Sequence, residues 1–187
     1  MWNIMFERYG LTVRYVNVTD AEFILSLRSN ERLRRFISYT EDNIDKQRKW
    51  IESYKCREQV GLEYYFIFLL QERRLGVARI YNIEKDHFTQ GSWIFSPDAP
   101  VGSAVLGNII SIEKGFELPG MKYLLTDANK KNTTHKYVKS YHPEIIGEDE
   151  QNIYYKLSKE NFEKYKHIHV NLATRVFKED INRVFGN

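Results

Sequence analysis

Three short stretches of this 187-residue chain carry residue types and spacings that can do chemistry. Ser96 to Val105 reads SPDAPVGSAV and joins an apolar run, GSWIF, to a helix-like pattern, VLGNIISIEKGFE. Two prolines fix the loop, and Gly102 eases the chain into the helix. Gly102, Ser103 and Ala104 then present backbone N–H groups, because the first turn of a helix has no internal acceptors for them. Such amides, together with the helix dipole, bind phosphate without any basic side chain, so the lack of Lys and Arg here does not exclude an anion site. The second stretch, ILSLRSN, puts Arg28 and Asn30 at the end of an apolar helical pattern, where an arginine fork suits a phosphate or a carboxylate. The third, THKYVKSY, gathers groups that can carry a proton: His135, Tyr137, Lys139 and Tyr141. Glu63, Glu84 and Asp86 are further acids near predicted strand ends.

Composition removes several classes of function. A formal charge of +3 gives no concentrated basic face, so nucleic acid is not an expected partner. No window is apolar enough to span a membrane, and the opening MWNIMFERYG has no signal-peptide core, so a cytoplasmic location is expected. The lone cysteine, Cys56, allows no intrachain disulfide. His167 and His169, two apart in KHIHV, would share a strand face, but no third ligand stands near them and no metal is expected.

These groups need elements to hold them. LTVRYVN alternates as a half-buried strand, and Thr19 with Glu22 forms a capping-box pair before the helix AEFILSLRSN. NIDKQRKWIESY has helical spacing, with the polar ERLRRFISYTED between the two helices as a loop or short turn. YYFIFLL, GVARIYNI and HFTQGSWIF follow as three strands of an antiparallel meander. After the helix beginning near Ser103 come a short strand KYLLTDA, a helix over Thr134, Tyr137, Val138 and Tyr141, and a hairpin of EIIGE with NIYYKLS. Leu172, Val176, Phe177, Ile181, Val184 and Phe185 stripe a C-terminal amphipathic helix, which docks on the domain or on a second subunit in a homodimer. The expectation is one α+β domain over 1–187, with a mixed, mostly antiparallel sheet flanked by helices and a helical extension from about 165.

The element order, together with LSLRSNERLRRFI, DKQRKWIESY, GSWIFSP, VGSAVL, GFELPGMKYLLTDANKKN and HPEIIGEDEQNIYYKLSKENF, resembles the GNAT superfamily of N-acetyltransferases. The likeness covers about residues 11–164 and is closest to the branch of ribosomal-protein and amino-sugar acetyltransferases. It implies the acyl-CoA N-acyltransferase fold with acetyl-CoA as co-substrate. The strand bearing Trp93, Ile94 and Phe95 would splay from its neighbour and pair with the pantetheine arm. Gly102, Ser103 and Ala104 would take the pyrophosphate, and Asn132 would orient the pantetheine. Arg28 and Asn30 would border the acceptor.

Three positions depart from the family pattern. Ala99 stands where the turn usually has Arg or Gln, and Lys139 where many members have a thiolate-protonating tyrosine. His142 and Pro143 replace the glycine–aromatic pair that ends that helix. The general acid therefore falls among Tyr137, His135 and Lys139. The implied function is transfer of an acetyl group to a primary amine of a small molecule, such as a nucleotide-linked amino sugar. The alternatives are a protein N-terminal or lysine acetyltransferase and a non-catalytic CoA-binding module.

Overall fold

The run Tyr64–Leu70 is apolar and aromatic on both sides of its pleat, which is what a strand covered on both faces requires. In the computed structural model, which describes residues 5–37 and 40–185, this run is a central strand of an eight-stranded sheet. The strands are β1 (Met5–Arg8), β2 (Leu11–Tyr15), β3 (Tyr64–Leu70), β4 (Arg73–Tyr81), β5 (His87–Phe95), β6 (Tyr123–Asn129), β7 (Glu144–Glu148) and β8 (Asn152–Ser158). Their spatial order is β1-β2-β3-β4-β5-β6-β8-β7. Every described pairing is antiparallel except β5 with β6.

Two helical layers cover the sheet. Tyr65, Ile67 and Leu69 of β3 pack with Ile24 and Leu27 of α1 (Ala21–Ser29) and Ile51 and Tyr54 of α2 (Ile44–Gln59). The alternate residues Phe66 and Phe68 enter the opposite core, with Leu106, Ile109 and Ile110 of α3 (Ser103–Glu117) and Phe162 and Phe177 of α5 (Lys159–Phe185). A short α4 (Thr134–Lys139) lies between β6 and β7. α3 approaches the sheet closely because Gly107 carries no side chain where the Phe95 ring packs against it.

The fold corrects several local readings. The capping box before α1 is formed by Asn17 and Asp20 around a short 3-10 turn, not by Thr19 and Glu22. Asp20 is fully buried and also accepts from both terminal nitrogens of Arg14, so it is the better anchored carboxylate. β1 forms at the sheet edge although MFER shows no apolar alternation, because it pairs with β2. The C-terminal helix begins at Lys159 and continues unbroken, packing Ala173 and Phe177 into the core beside α3. His167 and His169 therefore sit on a helix, where residues two apart do not share a face. The described residues hold no cluster of three potential metal ligands. The side chains of Val184 and Phe185, and Ser38 and Tyr39 of the early loop, lie outside the described set. No described helix is long and apolar enough to cross a membrane.

Candidate active site

β5 and β6 pair only from His87↔Tyr123 to Thr89↔Leu125. Beyond that register the two strands part, and the backbone edge of Gln90–Phe95 borders a cleft of about 570 Å³. Its walls include Trp93, Ile94, Phe95, Ala104 and Asn132, all expected at a cofactor site, and Arg28, expected to border the acceptor. A bulge interrupts the β4–β5 ladder after Val77↔Ile94, and Ser92 takes a left-handed φ of 51° there. A second cleft of about 390 Å³, lined by Ile24, Gln47, Trp50 and Tyr65, shares Arg28, Arg79 and Ser92 with the first.

The turn after β5 is held from both ends. Gly102 has φ of 91°, and a Cβ there would come within 2.5 Å of the Ala173 carbonyl oxygen on α5. The expected role of Gly102 in easing chain crowding is thus met by a particular partner, the backbone of α5. Ser103 is buried, with its N–H and hydroxyl both donating to the Pro100 carbonyl. The Val101 N–H donates to Asp180 Oδ2 of α5 at 3.0 Å. Ala104 is the residue of the GSA trio that lines the cleft.

Between the strands and α3 lies a buried polar chain. Gln90 Nε2 donates to Ser111 Oγ at 2.7 Å, and Asn108 Nδ2 donates to Gln90 Oε1 at 3.1 Å. The Tyr137 hydroxyl donates to Asn108 Oδ1 at 2.9 Å and lies 3.0 Å from the Tyr141 hydroxyl. Trp93 Nε1–H donates to the Ala104 carbonyl, and its ring centroid lies 5.7 Å from that of Tyr137. Burial pushes the Tyr137 phenol well above the ordinary tyrosine range, and Tyr141 beside it acts in the same direction. Such a phenol keeps its proton at neutral pH.

The other candidates separate. His135 is tied by Nδ1 to the Asn132 carbonyl at 2.7 Å. Lys139 is exposed at the end of α4 and lines none of the clefts described. Asn132 sits on the cleft wall, its Oδ1 accepting from the Thr134 N–H. Asn30 caps the turn after α1 through its Oδ1 and the Arg32 N–H, and faces a shallow groove beside Ser96 and Pro97 rather than the Arg28 clefts. Glu63 is spent on Arg57 and Arg79, and Asp86 accepts from His87 at the closed end of the β5–β6 pair.

The residues that sequence reasoning missed are Arg79 and Asp127. Arg79 is flanked on either side in β4 by Ala78 and Ile80, which point into the α3 core, so it points to the α1–α2 face. Its guanidinium lies 4.3 Å from the Tyr81 ring centroid and 3.6 Å from Glu63 Oε2. Its Nε is buried with no hydrogen-bond partner among the described residues. Arg28 donates to the Thr40 hydroxyl. Burial lowers the Arg28 pKa, the Tyr65 hydroxyl opposes that shift, and the Arg79 charge adds to it. Two partly desolvated guanidiniums repelling one another form an arrangement that an anion relieves.

Residues 10–138 match the family model for an acetyltransferase (GNAT) domain. Among solved structures, the chain is similar to FdhC in its apo form, described as a nucleotide-linked sugar GNAT, at 31% identity and a TM-score of 0.78. That match covers 90% of this chain and 97% of FdhC. The ribosomal-protein-S5-alanine acetyltransferase of Vibrio fischeri shares 14% identity with a TM-score of 0.70, over 85% of this chain and 98% of that one. RimJ of Mycobacterium smegmatis, in complex with CoA-disulfide, shares 14% with a TM-score of 0.71, over 93% and 96%. The last two likenesses are of fold alone. No curated protein matches this chain.

Proposed function

The chain belongs to the GNAT acetyltransferase family, and on that premise we propose that it transfers the acetyl group of acetyl-CoA to the primary amine of a nucleotide-linked amino sugar. Membership implies an acyl-CoA co-substrate, and the parted β5–β6 edge fits an extended pantetheine arm. The backbone of Trp93, Ile94 and Phe95 would pair with that arm, and Asn132 would fix its course. The Ala104 and Val105 amides of the first turn of α3 would receive the pyrophosphate, with Gly102 and Ser103, whose N–H is held by the Pro100 carbonyl, shaping the turn. The thioester supplies an activated carbonyl. Tyr137 keeps its proton at neutral pH and would deliver it to the leaving sulfur, with Asn108 and Tyr141 holding its hydroxyl in place. His135 would steady Asn132 through the carbonyl contact, and Lys139 would add only a distant positive charge.

One observation carries the acceptor class: Arg28 and Arg79 stand together on the acceptor side of the splay, and both walls of the double cleft contain them. A doubly charged diphosphate uses two guanidiniums, whereas a peptide amine needs neither. The similarity to FdhC supports the same class. Release of free thiol from acetyl-CoA is expected with nucleoside-diphosphate amino sugars and to be absent with N-terminal peptides. Turnover of peptides alone would replace this acceptor, and absence of acetyl-CoA binding by calorimetry would leave the cleft without its co-substrate.

A further inference from the structure

Asp127 lies two residues past the last β5–β6 pair, Thr89↔Leu125, on the strand that swings away. Leu124 of the same strand enters the core under α3, so alternation turns Asp127 to the α1–α2 face, the face of Arg28 and Arg79. The registers place it further. Arg79 is opposite Gly91, and Gly91 lies two residues beyond Thr89, so Arg79, Gly91 and Asp127 occupy one row across β4, β5 and β6. The middle residue has no side chain, and the Tyr81 ring lies over it, its hydroxyl 3.1 Å from where a Cβ would stand, so a phenol floors the space between the guanidinium and the carboxylate. Two strand spacings put their backbones on the order of 10 Å apart before the splay widens the gap. That is a site with a cationic wall and an anionic wall.

We propose that Asp127 is the catalytic residue that binds the acceptor ammonium and removes its proton. This rests on the acceptor reading given above. A molecule with a diphosphate at one end and an amine a sugar ring away spans the row, anion toward Arg28 and Arg79, amine toward Asp127. An ammonium has no lone pair, so one proton must leave before nitrogen can attack. That proton passes to the Asp127 carboxylate. The C–N bond then forms at the thioester carbonyl as the C–S bond breaks, Tyr137 gives its proton to the departing sulfur and is restored by the second N–H proton, and Asp127 returns its proton to solvent.

The surroundings suit a base rather than a permanent ion pair. Asp127 is exposed on the cleft rim, yet desolvation by the protein around it still raises its pKa; its own backbone N–H opposes the shift, and Asp149 on the β7–β8 turn adds to it. Tyr154 of β8 is its cross-strand partner. Arg28, Arg32, Arg79 and Tyr81 stand on other walls of the same cleft, and Tyr137 of α4 borders the narrow pocket behind it. Among the described residues no cation forms a salt bridge with Asp127, whereas Glu41, the acid of the neighbouring cleft, is paired with Lys46.

The test measures kcat/KM for acetyl transfer to a panel of nucleoside-diphosphate amino sugars, beginning with UDP-glucosamine, from about pH 6 to 9.5. Wild type, Asp127→Asn and Asp127→Glu are compared, with acetyl-CoA affinity measured separately by calorimetry. General bases contribute on the order of 100-fold or more. Asp127→Asn is expected to lose about that factor near neutral pH, to keep its acetyl-CoA affinity, and to recover as the pH nears the amine pKa, where the substrate arrives deprotonated. Asp127→Glu should restore part of the rate. A deficit of the same size at every pH would show a structural role, and a rate within threefold of wild type would remove Asp127 from the reaction; either overturns the proposal. Acetyl-CoA binding with no turnover of any sugar nucleotide by wild type would instead sink the acceptor reading, and Asp127's role with it.

Discussion

Replacing Gly102 by alanine tests how the turn after β5 is built. Two costs add. The backbone there has φ of 91°, a left-handed conformation that costs an L-residue roughly 1–2 kcal/mol. The new Cβ would also stand 2.5 Å from the Ala173 carbonyl oxygen and 3.0 Å from Val176 Cγ2. The first neighbour is helix backbone and cannot rotate away, so α5 must shift, and overpacking of this kind costs roughly 1–3 kcal/mol. The sum, about 2–5 kcal/mol, would lower the urea midpoint by roughly 1–2 M for an m-value of about 2–3 kcal/mol/M. Val176→Ala in the Gly102→Ala background should return part of the loss but not the backbone term. Asp180→Ala, which removes the acceptor of the Val101 N–H, should weaken the same seat by about 1 kcal/mol. Urea denaturation followed by tryptophan fluorescence and far-UV circular dichroism measures all three. A Gly102→Ala protein within about 0.5 kcal/mol of wild type would refute the seating of α5 on this turn.

Other outcomes follow from the cleft and the core. Arg28→Ala and Arg79→Ala should each raise KM for a sugar-nucleotide acceptor by roughly 10- to 100-fold, the worth of a charge-assisted contact, with KM for acetyl-CoA unchanged in steady-state kinetics. Tyr137→Phe should lower kcat about 100-fold if the phenol is the proton donor, and should cost about 1–3 kcal/mol in melts because Asn108 Oδ1 loses its buried donor. Asp20 is fully buried, and although burial alone would raise its pKa, Arg14, the Asn17 N–H and Arg74 together hold it below the usual carboxylate range. Its stabilisation is therefore complete above the unfolded-state value of about 3.9 and is lost as the pH falls through the lower folded value. Asp20→Asn, which leaves Arg14 and Arg74 without their anion, should cost about 3–5 kcal/mol at neutral pH and flatten that acid dependence in pH-resolved denaturation.

Local pattern was enough for most of the elements. Tyr64–Leu70, His87–Phe95 and Asn152–Ser158 are strands over the residues their β-forming side chains and flanking turn signals indicate, because such side chains pack well on a pleated surface. Met5–Arg8 carries no apolar alternation and draws its stability from pairing with β2, so nothing in MFER announces it. The order of elements and the GSA turn pointed to the family, and Trp93, Ile94, Phe95, Ala104, Asn132 and Arg28 do meet on one cleft. What the chain does not spell out locally is register. Arg79, Gly91 and Asp127 fall in one row only because β4 sets Arg79 opposite Gly91 and the parallel register of β5 with β6 sets Thr89 opposite Leu125. The same holds for Gly102, whose constraint comes from Ala173 on α5, and for Lys139, which helix rotation turns outward while Tyr137 turns in. Secondary structure is written in neighbours a few residues apart. The site is written in contacts between strands and helices remote in sequence, which exist only once the sheet has chosen its pairings.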